Sequence, residues 1–571
     1  MNNSKRIDEL LSIETKWDAT LETCGDENDI LYSKNGDAVV HIYEYLEDGV
    51  VKDGVKIICD KANQFDEAPY LTNLKLPESL VAIGHRAFYY AQSLDSINIP
   101  LSVEIIKQEA FDSSSIKILP ANNNIKVIEY KAFNDSYLEG ALNIKNTEYL
   151  GDFAFGSTNI TSVELSESLE AIGDCAFVLC PELKSITIPA SVKHIGGGAF
   201  SSCNNLKNIT LLCDNYILED GVIYNADKTE LVSAISVQEE FTIPNTVETI
   251  CNYAFYSSAV TSITIPKSVK KISVGAFSYS ELKTAKIPNS VTEIGKQAFL
   301  SCCQLTEVKL PKQLKVLADE LFNECDKLTK ITLPSAFTHI GEYTFSSCSL
   351  LKNIKLPETL EVLGKGCFEW SSINSINIPD KVTKIPDFAF YYCELKSIVI
   401  PDSVTEICDS AFEHCDKLDY VRLPESLVSI SETAFKNCSN EIYFALAKQS
   451  SIHELVNSTL SKTENKYFST KKIEFKIITE RKHPKIFKRI DYIALGSPSS
   501  FEIADGIEKI ADDTFWYGDI IKSITIPNSL KEIEWYTFEI TGLKSIYIYE
   551  DNPTKEKIIN MYGKRIKIKK R

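Results

Sequence analysis

The sequence predicts a β-rich solenoid built from stacked coils of 22–23 residues, and three regularities indicate it. Phenylalanine recurs at this spacing in three blocks, which gives 17 coils. Ile or Leu stands five residues before every one of these phenylalanines, and proline stands eleven before in 13 coils. One such coil cannot bury its apolar side chains alone, so the repeats are expected to stack around a shared core. The repeating phenylalanines are Phe88, Phe111, Phe133, Phe155, Phe177, Phe200, Phe255, Phe277, Phe299, Phe322, Phe345, Phe368, Phe390, Phe412, Phe435, Phe515 and Phe538.

The order of apolar and polar residues within one coil predicts its path. The I-x-I-P stretch alternates and is rich in β-branched residues, which indicates a short strand with one buried face. Proline ends this strand because it has no amide hydrogen to donate. A second apolar pair, such as Val291 and Ile294, is expected to turn inward after the bend. The Ala-Phe pair closes the coil, and its phenyl ring fills the space between layers.

Two units, LKSITIPASVKHIGGGAFSSC (183–203) and VTSITIPKSVKKISVGAFSYS (260–280), carry the pattern most clearly. They resemble the BspA-like class of leucine-rich repeats, a bacterial and protist surface-antigen type. The resemblance covers about residues 70–438 and 500–548. It implies a right-handed leucine-rich-repeat solenoid whose strand-lined concave face recognises a protein or a surface. It implies no catalytic residues, because none define that class.

Three stretches break the period and divide the chain. Asn35-Gly36, between alternating apolar residues, predicts a β-hairpin near the N-terminus, next to a short helix starting at Ser4. This segment is expected to cap the stack, with a degenerate coil around Phe65; a separate functional domain is the alternative. The predicted segments are an N-terminal cap (1–69), repeat blocks (70–203, 244–439 and 501–548), a β-hairpin insert (204–243), an α/β insert (440–500) and a C-terminal cap (549–571). The C-terminal cap consists of a helix and a basic strand, and a ligand-facing basic end is the alternative.

Composition and charge exclude several classes of protein. A hydrophobic fraction of 44% rules out wholesale disorder, and no apolar run of about 18 residues predicts a transmembrane helix. The formal charge of −18 argues against binding to nucleic acid. The N-terminus lacks the apolar stretch of a signal peptide, which favours the cytoplasm by default, whereas the resemblance favours the cell surface or secretion.

No motif in the chain predicts catalysis, a cofactor or a metal site. The sequence contains no H-E-x-x-H, G-x-S-x-G, Walker or G-x-G-x-x-G motif, so no enzyme is expected. Half of the 16 cysteines stand three residues after the repeating Phe, which predicts a buried slot for reduced thiols, with some disulfides as the alternative. These cysteines are Cys180, Cys203, Cys302, Cys325, Cys348, Cys393, Cys415 and Cys438.

The strand register predicts a basic concave face. Residues 14 and 12 before the Phe should point inward, so those 13, 15 and 16 before it should face out. In the coils from Phe277 to Phe435 the outward positions hold eight bases against Glu307 and Asp419. Lysine at these positions either keeps an exposed sheet from associating with other chains or forms a binding surface for acidic or hydrogen-bonding partners. The candidate partner-binding residues are Lys283, Lys286, Lys309, Lys330, Lys352, Lys355, Lys396 and Arg422.

These observations predict a non-enzymatic recognition protein that binds a protein or glycan partner through its concave face, and the family resemblance implies a role of the adhesion type. An intracellular scaffold or regulator of protein–protein interaction is the alternative. Neither prediction requires a cofactor or nucleic acid.

Overall fold

The structure is a computed structural model in which the chain forms two compact units, Met1–Ile331 and Thr332–Arg571. Both units consist of coils with parallel strands, which confirms the predicted β-solenoid. The described residues are 3–16, 23–27, 29–43, 45–63, 70–94, 96–121, 123–438, 442–445, 486–487, 500–502, 509–510, 523–533, 544–562 and 566–569.

The strands formed by the alternating stretch before the proline position are called front strands here. They pair in parallel from coil to coil, as Ser185–Ile188 does with Asn208–Leu211. In the first unit they are Asp48–Val50, Asn73–Lys75, Ser96–Asn98, Glu139–Ile144, Asn159–Leu165, Ser185–Ile188, Asn208–Leu211, Glu240–Thr242, Ser262–Thr264, Thr284–Lys286, Glu307–Lys309 and Lys330–Thr332. The last of these strands ends one residue beyond the first unit, at Thr332. In the second unit they are Ser397–Val399, Tyr420–Arg422, Tyr443–Ala445, Ser500–Glu502, Ser523–Ile526 and Ser545–Tyr549.

In most coils a second, two-residue strand ends five residues before the Phe, where the sequence pattern predicts only an inward turn. These back strands also pair in parallel, as Lys271–Ile272 does with Glu293–Ile294. In the first unit they are Ile57–Ile58, Ala82–Ile83, Ile105–Ile106, Val127–Ile128, Tyr149–Leu150, Ala171–Ile172, His194–Ile195, Thr249–Ile250, Lys271–Ile272, Glu293–Ile294 and Val316–Leu317. In the second unit they are His339–Ile340, Val362–Leu363, Lys384–Ile385, Glu406–Ile407, Ser429–Ile430, Ile486–Phe487, Lys509–Ile510 and Glu532–Ile533.

The repeating phenylalanines form a buried ladder, as the sequence predicts. The rings of Phe277 and Phe299 stack with centroids 5.2 Å apart, and both side chains are fully buried. The Phe277 amide donates to the Ala298 carbonyl of the next coil at 2.8 Å. The turns beside the ladder use left-handed backbone two residues before and after the Phe, as at Gly275 (φ 58°) and Tyr279 (φ 61°). Phe515 and Phe538 lie outside the described residues.

The N-terminal segment adds to the sheet of back strands. Strands Thr23–Glu27, Ile30–Ser33 and Ala38–Ile42 are antiparallel, and the last pairs in parallel with Ile57–Ile58. The turn at Asn35-Gly36 falls between two of them, where the sequence predicts it, and Phe65 lies outside the described residues.

The N-terminal helix, Asn3–Leu11, packs against the back strands of several coils. Its Leu10 is buried against Ala82, Ile105 and Val127, which belong to three successive coils. The Lys107 ammonium donates to the Leu11 carbonyl at 2.9 Å, and this contact ties the end of the helix to the same sheet.

Residues 204–243 contain more solenoid than the predicted single hairpin. Asn208–Leu211 and Glu240–Thr242 are front strands, and three antiparallel strands lie between them: Tyr216–Glu219, Val222–Asn225 and Glu230–Ala234. A tight turn at Asp220-Gly221, where Gly221 has φ 76°, separates the first two of these antiparallel strands. Glu230–Ala234 then pairs in parallel with the back strand Thr249–Ile250.

The 440–500 insert lies largely outside the described residues. Its described parts are solenoid strands, because Tyr443–Ala445 pairs in parallel with Tyr420–Arg422. At the C-terminus, helix Lys555–Tyr562 precedes the strand Ile566–Lys569, which pairs in parallel with Ser545–Tyr549.

Candidate functional site

Four lysines of the first unit form an exposed basic patch along the front strands. We call Lys283, Lys286, Lys309 and Lys330 the front patch. All four are exposed, and the alternate residues of the same strands are buried, as the predicted register requires. The buried residues are Ala285, Ile287, Val308, Leu310 and Ile331.

Like charges face each other within the front patch. Lys286 and Lys309 are direct register partners on neighbouring parallel strands, an arrangement that costs stability. Lys330 pairs with Glu307 at 2.6 Å. Lys283, Lys286 and Lys309 form no ion pair with any residue that the structure describes. The front patch is therefore positive and only partly neutralised.

The second unit carries the other four candidate residues, and they differ in their contacts. Lys352, Lys355 and Lys396 are exposed. The Arg422 guanidinium pairs with Asp402 at 3.0 Å and donates to the Ile400 carbonyl at 3.2 Å, and its side chain is only 20% exposed. Arg422 therefore contributes less free positive charge than the sequence suggests.

Several lysines of the back strands and their flanks are paired with glutamate from the neighbouring coil. In the first unit, Lys271 lies 2.7 Å from Glu293, and Lys270 lies 2.8 Å from Glu248. Further pairs of this kind are Lys126–Glu148 and Lys193–Glu170 in the first unit and Lys384–Glu406 in the second.

The first unit has an aromatic cleft on the turns beside the Phe ladder, a feature that the repeat pattern does not predict. Five aromatic side chains line a cavity of about 540 Å³. Phe153 and Tyr253 stand two residues before a repeating Phe, and Tyr130 stands three before one. Tyr256 stands one residue after a repeating Phe, and Tyr279 stands two after one. An aromatic residue recurring at these positions was the available signal. The five are Tyr130, Phe153, Tyr253, Tyr256 and Tyr279.

Tyr253 reaches across two coils because a glycine clears its path. The Tyr253 and Phe153 rings lie 5.4 Å apart at 78°, although 100 residues separate them. A β-carbon at Gly198 would lie only 2.5 Å from the Tyr253 carbonyl oxygen. The Ser201 hydroxyl donates to that carbonyl at 3.2 Å, so the coils of Phe200 and Phe255 are direct neighbours here.

The second unit carries an aromatic stack in the position two after the Phe. Trp370 and Tyr392 stack with centroids 3.8 Å apart, and Tyr392 and His414 lie 4.1 Å apart. Trp370 is 49% exposed. Exposed aromatic residues therefore recur on these turns in both units.

The cysteine position three after the Phe is buried, as predicted, and the structure shows why cysteine suits it. The Cys302 thiol donates to the Phe277 carbonyl of the preceding coil at 3.1 Å, and Cys393 does the same to Phe368 at 3.1 Å. Burial raises the pKa of both thiols to about 12, so they stay protonated at neutral pH. Cys438 is only partly buried.

The described residues contain neither a cluster of metal ligands nor a helix able to span a membrane. No group of three or more His, Cys, Asp or Glu side chains there is placed to hold a metal ion. Among the described helices, none combines the length and apolar composition needed to cross a bilayer.

Among solved structures, the chain is similar to a leucine-rich repeat protein from Eubacterium ventriosum (24% identity, 61% of this chain and 94% of that chain covered, TM-score 0.40). It is also similar to a leucine rich cell surface protein from Faecalibacterium prausnitzii (21% identity, 76% and 97% covered, TM-score 0.37). The comparison with curated proteins gives no match.

The model of the BspA type leucine rich repeat region matches six times along the sequence. The matched residues are 56–155, 139–239, 233–350, 270–393, 370–481 and 494–560. These matches cover far more than half of the chain, so the protein belongs to the BspA-type leucine-rich repeat family.

Proposed function

We propose that this protein is a non-enzymatic recognition protein that binds an acidic protein or glycan partner through the front strands. Leucine-rich repeat proteins of its family are generally interaction proteins without catalytic activity. The observation that carries the proposal is the pairing of Lys286 with Lys309. A like-charged pair on neighbouring strands weakens the fold, and an acidic partner would relieve that cost on binding.

The proposal is tested with poly-L-glutamate as an acidic probe and the full chain immobilised on a sensor surface. The triple variant Lys283→Glu, Lys286→Glu and Lys309→Glu should bind about 10-fold more weakly, mainly through slower association. The core positions of these strands stay untouched, so the fold should survive.

The matched control has the same change in net charge on the back face. It carries Lys193→Glu, Lys270→Glu and Lys271→Glu and should bind the probe within about twofold of wild type. Equal weakening in both triple variants would mean that total charge, and no particular surface, governs the interaction. That result would overturn the proposal.

We further propose that this recognition takes place at a cell surface, as in an adhesion-type protein. Membership of the BspA-type family supports this location. Fractionation of the native cells with an antibody against the protein tests it, and recovery only in the cytosolic fraction would favour the intracellular scaffold.

A further inference from the structure

We propose that the aromatic cleft of the first unit binds a neutral pyranose ring of a glycan. The cleft lies on the turns beside the Phe ladder, apart from the front strands, and does not depend on the front patch. Its volume of about 540 Å³ falls within the range of about 300–1,000 Å³ typical of small-molecule sites.

The aromatic rings supply flat apolar surfaces in several orientations. Phe153 and Tyr253 meet at 78°, Tyr253 and Tyr256 at 72°, and Tyr256 and Tyr279 at 52°. Tyr130 and Tyr279 are 38% and 45% exposed, so their rings are open to a ligand. The C–H face of a pyranose is apolar and flat, and it can pack on such a ring.

The same aromatic side chains supply unused hydrogen-bonding groups. The hydroxyls of Tyr253, Tyr256 and Tyr279 form no hydrogen bond with a residue that the structure describes. Burial raises the pKa of Tyr253 to about 12 and that of Tyr256 further, so both remain neutral donors. Sugar hydroxyls, which lie around the edge of the ring, would pair with these phenols.

The charges of the lining favour an uncharged ligand. Lys131 and Asp135 are the two charged residues of the cleft, and their charges cancel. The Lys131 ammonium lies 5.5 Å from the Tyr130 ring and 5.8 Å from the Phe153 ring, and Asp135 accepts from the Asn134 amide at 2.8 Å. An acidic sugar would find no net positive charge here.

A purely apolar occupant fits the cleft less well. Inserting an apolar peptide side chain would cover the three phenol hydroxyls without giving them partners, which carries a desolvation cost. A pyranose presents both an apolar face and a polar edge. The combination of rings and unpaired hydroxyls therefore selects a sugar over an apolar peptide.

The test is a calorimetric titration of the full chain with maltose, cellobiose and lactose, and with sialyllactose as the charged counterpart. We expect at least one neutral disaccharide to bind with a dissociation constant on the order of 1 mM. Tyr279→Ala should weaken this binding by about 10-fold, because it removes an exposed ring. Tyr256→Phe keeps the ring, removes only the hydroxyl and should weaken it by roughly threefold.

Tyr90→Ala is the matched control for Tyr279→Ala. Tyr90 also stands two residues after a repeating Phe, has φ 58° and is 49% exposed, but it lies outside the cleft. This control should bind the sugar as wild type does. No binding of any neutral disaccharide, or undiminished binding by Tyr279→Ala, would overturn the proposal, as would binding of an apolar peptide in place of the sugars.

This outcome is independent of the front patch. Reversal of Lys283, Lys286 and Lys309 should leave sugar binding unchanged, and Tyr279→Ala should leave polyglutamate binding unchanged. Failure of one proposal is therefore distinguishable from failure of the other.

Discussion

In the first unit, several lysines of the back strands and their flanks pair with glutamate, whereas two lysines of the front strands, Lys286 and Lys309, face each other. On the back face, Lys271 and Lys270 each lie within 2.8 Å of a glutamate on the adjacent coil. On the front face, Lys286 lies opposite Lys309. Both faces are built from the same repeat and keep their lysines in water, so the repeat itself does not require either arrangement. The Lys286–Lys309 pair is therefore unfavourable for stability, unlike the lysine–glutamate pairs of the back face.

The register of the repeat assigns each residue to the core or to one face. Substitution of Phe299 tests that register and has the largest expected effect on stability. Its ring is fully buried between Phe277 and Phe322, at 5.2 Å and 5.6 Å. Phe299→Ala should lower the free energy of unfolding by about 3–5 kcal/mol, because it leaves a cavity in the ladder. A urea titration followed by circular dichroism measures this loss.

Lys309→Ala is the surface control for Phe299→Ala. It should change the free energy of unfolding by less than about 0.5 kcal/mol. Similar losses in the two variants would show that the assigned faces are wrong.

The adjacent thiols of Cys302 and Cys303 allow the same register to be tested by alkylation. Cys302 is buried with its pKa raised to about 12, whereas Cys303 is exposed. Burial and nearby carboxylates also raise the pKa of Cys303, so alkylation of the native protein at pH 8 should be slow but should favour Cys303 by at least about 10-fold. Peptide-level mass spectrometry measures the ratio, and equal labelling without denaturant would contradict the assignment.

The sequence predicts the core better than the surface, for a physical reason. Phe299 and Cys302 repeat in register because every coil meets the same packing requirement, so their burial is readable from spacing alone. The short back strands were missed because two residues are too few to show alternation. The partner of Arg422 could not be foreseen, since Asp402 belongs to a turn between strands.

The aromatic cleft cannot be predicted from the sequence for a different reason. It depends on Tyr253 passing over Gly198 to meet Phe153, and that contact forms only because residues 204–243 leave the coils of Phe200 and Phe255 adjacent on this side. A repeat pattern predicts the contacts between each coil and the next. It does not predict contacts such as that of Tyr253 with Phe153, which form where an insert interrupts the repeat.

Single charge reversals test whether local pairing of charges differs between the two faces. Lys286→Glu replaces a like-charged pair with an opposite pair facing Lys309, so it should raise the free energy of unfolding by about 0.2–1 kcal/mol. Lys271→Glu places a second carboxylate beside Glu293 and should lower it by a similar amount. Both variants change the net charge equally, and urea titrations at low salt compare them. Shifts of the same sign would mean that net charge, and not local pairing, controls stability.

Salt gives the smallest expected effect and separates local pairing from packing. The screening length falls from about 10 Å at 0.1 M salt to about 3 Å at 1 M, so interactions between exposed charges weaken. The stabilisation from Lys286→Glu and the destabilisation from Lys271→Glu should therefore both shrink toward zero as salt rises, by a few tenths of a kcal/mol. The loss from Phe299→Ala should persist because it arises from a cavity. If a reversal kept its full effect at 1 M salt, its origin would be a change in packing, and the charge contrast between the faces would no longer explain it.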